Sequence, residues 1–164
     1  MKNVLVITLL ICFTVGVVGQ EGVNDSEVDP IVKTYMRNFV RASLQTKIQI
    51  LQDAGKLGNV DMGPLYMKAL DFVLSNDSLL ESDPSDTMMK QLAVLAVRLV
   101  GIGGYREARY LLWDLFRSSR DTSSRVAVMN ALGEIADGDQ KIIEALNDWL
   151  SRQNSLYQTG NKPD

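Results

Sequence analysis

What limits this sequence most is the spacing of its apolar residues. From Asp29 onward they recur every three or four positions, and no segment alternates with period two. Such a chain can bury its apolar surface only as helices packed on helices, which makes the expected fold all-α.

The boundaries of the helices are marked by residues that satisfy or interrupt a helical backbone. Asp29-Pro30 pairs a preferred cap with a residue that loses nothing at the first helical position, so a first helix is expected to about Ala42. Its stripe is Ile31, Tyr35 and Phe39 with Val32, Met36 and Val40. Ser43 can cap a second helix through Leu44, Ile48, Ile50 and Leu51 to Gly55, or the first can run on into it. Pro64 opens a third, and Ser75 to Asp86 reads as the longest loop. Asp83-Pro84 repeats the opening signal for a fourth helix, which Gly101, Gly103 and Gly104 interrupt. A fifth is expected from Tyr105 to about Ser118. A sixth, capped by Thr122 or Ser123, carries Val126, Met129, Leu132 and Ile135. Asp137-Gly138-Asp139 turns the chain into a seventh through Ile142, Ile143, Leu146, Trp149 and Leu150.

The amino-terminal segment has a different character. After Met1-Lys2-Asn3, an uncharged and mostly apolar run extends from Val4 to Val18 and closes in Val17-Val18-Gly19. This is the pattern of a signal peptide cleaved after Gly19, and it is shorter than the ~20 apolar residues that span a bilayer. The expected organisation is a signal peptide at 1–19, a flexible acidic leader at 20–28, a helical domain at 29–153 and a flexible tail at 154–164. A periplasmic or secreted protein follows, with no membrane span after cleavage.

The only cysteine, Cys12, lies in the segment to be removed, so the mature fold must stand on packing without a disulfide. Ile11 before it does not suit a lipoprotein signal. Removing residues 1–19 leaves 16 basic against 20 acidic residues, a balance that argues against nucleic acid as a partner. With no histidine anywhere, imidazole catalysis and most transition-metal sites are excluded, and no catalytic residue, cofactor or metal site is assigned. Asp137-Gly138-Asp139 lacks the further oxygen ligands of a calcium loop. Glu134 with Asp137 or Asp139 could pair as carboxylates for glycoside hydrolysis, but nothing else supplies a cleft, so an enzyme is the third reading.

Set side by side, Ala54-Gly55-Lys56-Leu57-Gly58, Val100-Gly101-Ile102-Gly103-Gly104 and Leu132-Gly133-Glu134-Ile135-Ala136 each read as the end of a first helix followed by a turn and a second. The segment Asp121-Thr-Ser-Ser-Arg-Val-Ala-Val-Met-Asn-Ala-Leu-Gly-Glu-Ile-Ala-Asp, continued to Leu150, resembles a bacterial HEAT-like repeat. Leu92 to Phe116 and Ser43 to Leu74 resemble it more weakly, and Gly101-Ile-Gly-Gly-Tyr-Arg-Glu-Ala-Arg-Tyr-Leu-Leu is also similar to a tetratricopeptide fragment. The resemblance implies a short right-handed α-solenoid of about three helix-hairpin repeats, with the first helix covering the open end of the core.

It also implies a non-catalytic module that binds another protein on a groove formed by the second helices. On the helix from Tyr105, the residues Arg106, Tyr110, Trp113 and Arg117 recur at spacings of four, three and four, away from the core stripe of Ala108, Leu111, Leu112 and Leu115. Their types are those of binding hot spots. The alternative for Trp113 is packing against the adjacent repeat, with the arginine stems covering apolar surface. The runner-up for the whole chain is a structural subunit of an extracytoplasmic assembly that self-associates through its open ends.

Overall fold

A computed structural model describes residues 28–76 and 87–160. Among them are seven α-helices and no strand: α1 (Pro30–Arg41), α2 (Leu44–Ala54), α3 (Gly63–Ser75), α4 (Thr87–Gly103), α5 (Arg109–Ser118), α6 (Thr122–Ile135) and α7 (Gln140–Gln158). A single 3-10 turn, Arg106–Ala108, leads into α5. The signal peptide, the leader up to residue 27, the Asp83-Pro84 opening and the last four residues of the tail lie outside the described residues.

Contacts between helices follow a simple order. α2, α4 and α6 stack as one layer and α1, α3 and α5 as the other, while α1 packs on α2, α3 on α4 and α5 on α6. These close sequential pairs are offset by one helix from the hairpins read in the sequence. α4 and α6 form the most extensive interface and run in the same direction. Lys90 reaches Asp121 (3.4 Å) near their starts, and Gly101 meets Ala131 near their ends. One continuous apolar core extends from Val32 in α1 to Ile142 in α7, an arrangement in keeping with a short helical solenoid.

The chain breaks between α1 and α2 rather than running through. Ala42 is extended, and Ser43 caps α2 by accepting from the Thr46 amide. The last carbonyls of α1 are met by Lys47, whose Nζ donates to the carbonyls of Phe39 (2.6 Å), Ala42 (2.7 Å) and Val40 (3.3 Å). That ammonium is buried, and it also faces the rings of Phe39 (4.9 Å) and Phe72 (4.7 Å), which meet edge to face. Burial pushes its pKa down, while the three carbonyls and two ring faces favour the charged form.

Two glycines do not end their helices as the sequence suggested. Gly101 is inside α4, buried, where a β-carbon would lie 3.0 Å from the Cα and Cβ of Ala131. Its role is to let α4 and α6 approach. Gly133 lies within α6, exposed, with open space around it. The stop of α4 is Gly104, at φ +69°, where the Tyr105 amide reaches the Val100 carbonyl and the Gly104 amide the Gly101 carbonyl. Tyr105 then wedges its ring between Gly63 and Gly103, where a β-carbon at either would overlap it. Its hydroxyl donates to Asp61 (2.8 Å). Burial first, then the Asp61 carboxylate, holds this phenol well above its ordinary pKa.

The face of α6 also differs from expectation. Val126 and Met129 are exposed, and the buried stripe is Ser124, Val128, Ala131, Leu132 and Ile135. Small residues face α4 because the close approach at Gly101 leaves no room for larger ones. Asp121, not Thr122 or Ser123, caps the helix by accepting from the Ser124 amide and hydroxyl. The tail is helical through Gln158, with Leu156 half-buried and Gly160 (φ +73°) beyond its end.

The two glycines therefore predict opposite outcomes. Gly101→Ala forces α4 and α6 apart and lowers stability by about 1–3 kcal/mol, whereas Gly133→Ala raises it by about 0.5–1 kcal/mol through helix propensity. Chemical denaturation of both variants checks the contrast; the same sign for both would contradict it.

Candidate functional site

Two surfaces stand out, one on each layer. Across α4 and α6 lies a groove of about 610 Å³ whose floor is Gly101, Ala127 and Ala131. Its walls are Val94 and Ile102 from α4 and Val126 from α6, with Arg98 and Glu134 among the polar residues beside them. Ile102 and Val126 are 72% and 55% exposed. A neighbouring depression of about 440 Å³ shares Val94, Arg98 and Ser123 and extends to Ile48 and Gln52 on α2. The surface that sequence reasoning missed is thus formed by the first helices of the expected hairpins. Its signal was present in Val126, an apolar residue one turn before Asn130, but the stripe through Val126 and Met129 read as core.

The four residues singled out on the fifth helix separate into two pairs. Arg106, in the 3-10 turn, and Tyr110 are exposed at the start of α5. There the Arg109 guanidinium lies over the Tyr110 ring (4.7 Å) and pairs through Nε with Asp139. Asp139 in turn caps α7, accepting from the amides of Lys141 (3.1 Å) and Ile142 (3.2 Å). This end of α5 is a structural joint between α5 and α7.

Trp113 and Arg117 lie further along. Trp113 is half-buried and stacks on Phe116 (5.5 Å between centroids, 14° between planes), while Arg117 is exposed. Phe116 meets Trp149 of α7 edge to face (4.9 Å, 75°). Between α5 and α7, Trp113, Arg117 and Trp149 line a cleft of about 240 Å³ together with Arg125, Arg152, Gln153 and Leu156. In the sequence Trp149 belongs to the apolar stripe of α7, and the i,i+3 spacing that puts Arg152 on the same face is the signal for this cleft.

Among the described residues, no three of His, Cys, Asp and Glu gather to hold a metal, and no helix is long and apolar enough to cross a membrane. Each surface offers shape, apolar area and fixed charge; both are suited to holding another molecule. No protein-family model matches the chain, and no curated protein and no solved structure matches it.

The carboxylates at the joints determine how the layers respond to acid. For Asp139, burial works to raise the pKa but is outweighed by the Ile142 amide, the Arg109 guanidinium and the Lys141 amide, so the net shift is downward. For Asp121 the same balance is struck by the Ser124 amide and hydroxyl and by Lys90. A carboxyl whose folded pKa is depressed contributes stability that is present above its unfolded value and lost as pH falls through the folded one. The melting temperature is expected to hold from neutral pH to about pH 4 and to fall below it. Asp139→Asn, which keeps an N-cap acceptor but no charge for Arg109, flattens that fall. Thermal scans that show equal slopes for the two proteins would contradict the assignment.

Proposed function

We propose that this protein is an exported, non-catalytic interaction module of the HEAT-like kind, which holds a protein partner by receiving one of its helices in the α4–α6 groove. The observation that carries the reading is the groove itself. Parallel neighbouring helices with glycine and alanine on the floor leave room for the backbone of a third helix, and exposed Ile102 and Val126 with half-buried Val94 offer its apolar face a matching stripe. Arg98 and Glu134, of opposite charge, would orient it. Export is supported by the Lys2 to Gly19 pattern, and the non-catalytic reading by the absence of histidine.

Two measurements test this. The mass of the protein recovered outside the cytoplasm is expected to correspond to a chain beginning at Gln20; an intact Met1 terminus would remove export by cleavage. The double variant Ile102→Arg and Val126→Arg is expected to keep its melting temperature within a few degrees, because both side chains are exposed. It should lose a partner that the unsubstituted chain retains in stoichiometric amount from the envelope or secreted fraction. Retention of the same partner by both proteins would overturn the groove as the docking surface.

A further inference from the structure

The cleft between α5 and α7 goes beyond that reading, because it lies apart from the groove and has a different chemistry. Seven residues line it: three arginines, two tryptophans, Gln153 and Leu156, with no acid among them. The whole chain, by contrast, carries 20 acidic against 17 basic residues. An acid-free lining with three arginines on such a chain is a local concentration of positive charge.

The arginines are held in different ways. Arg125 donates through Nε to the Ser119 carbonyl (2.7 Å), and its guanidinium carbon lies 5.5 Å from the Phe116 ring and 5.8 Å from the Trp149 ring. This fixes the cleft wall. Arg117 and Arg152 are exposed, and neither makes an ion pair among the described residues. Arg152 touches Asp148 only through a 3.3 Å hydrogen bond from Nε to that residue's backbone carbonyl. The half-buried indoles of Trp113 and Trp149 donate to no protein group among the described residues.

We propose that this cleft binds an acidic segment of another protein, taking one apolar or aromatic side chain against the tryptophans while flanking carboxylates bind Arg117 and Arg152. The volume of about 240 Å³ fits a single side chain rather than an extended polymer. Guanidinium groups match carboxylates through two parallel hydrogen bonds, and tryptophan beside arginine supplies large contact area with a polar edge. The net negative charge of the chain opposes a nucleic acid or an anionic bilayer, whose charge extends well past the cleft.

The chain supplies its own reporter, since Trp113 and Trp149 are its only tryptophans and both line the cleft. The probe is a blocked peptide with one phenylalanine flanked by two glutamates on each side, titrated into the purified chain while tryptophan emission is followed. A saturable change that weakens as potassium chloride is raised is expected. Arg117→Glu with Arg152→Glu should weaken binding about a hundredfold with an unchanged melting temperature, and Arg117→Lys with Arg152→Lys should give an intermediate loss. A peptide with glycine in place of phenylalanine should bind markedly less well. No saturable change up to millimolar peptide, salt-independent binding by the unsubstituted chain, or equal affinity in the charge-reversed variant would each overturn the proposal. So would heparin or phosphatidylglycerol vesicles producing the change where the peptide does not.

Discussion

The close approach of α4 to α6 at Gly101 and Ala131 is the constraint from which the rest of the arrangement follows. Where a helix carries no side chain, its neighbour can come nearer than the usual interaxial distance of about 8–10 Å allows. The same contact selects small residues on the facing side of α6, and so it turns Val128, Leu132 and Ile135 into the core while leaving Val126 and Met129 outside. Groove and core are two sides of one packing decision: the floor of the groove is the back of the tightest helix crossing.

Around that crossing the remaining helices share one apolar core, and polar and aromatic contacts at their ends fix how each is set into it. Tyr105 fills the angle between the end of α4 and the start of α3, accepted there only because Gly63 and Gly103 lack side chains. Asp121 and Asp139 each serve as a helix cap and also receive a cation from another helix, Lys90 in one case and Arg109 in the other. A cap that also bridges elements fixes the direction of a helix as well as its start. α7, with Ile142 its one fully buried residue, is positioned by such a joint and by the Phe116–Trp149 contact.

Helix existence and order were legible because they rest on local signals. Asp29 with Pro30, Ser43, Pro64 and the Asp137–Asp139 turn act on adjacent backbone, and each lies at a helix boundary as read. What could not be read was which glycine serves the chain and which serves a neighbour. Gly101 and Gly133 look alike in sequence, and only the presence of Ala131 opposite the first separates them. The same limit hid the groove, since exposed Val126 and buried Val128 differ by two positions on one helix, and the choice between them is made by α4. At the α5–α7 cleft the sequence marked Trp113 and Arg117, but Trp149, Arg125 and Arg152 come from two other helices and join them only in the folded chain.

Lys47 carries a consequence for how the stack comes apart. Its ammonium is enclosed by the end of α1 and the Phe72 ring, so it meets solvent only when α1 lifts from α2 and α3. In a fold whose helices contact mainly their near neighbours, fraying at one end need not disturb the other. The rate at which an amine-acylating reagent modifies Lys47, against the rate at surface lysines such as Lys56 and Lys141, is thus a direct clock for the opening of the first helix.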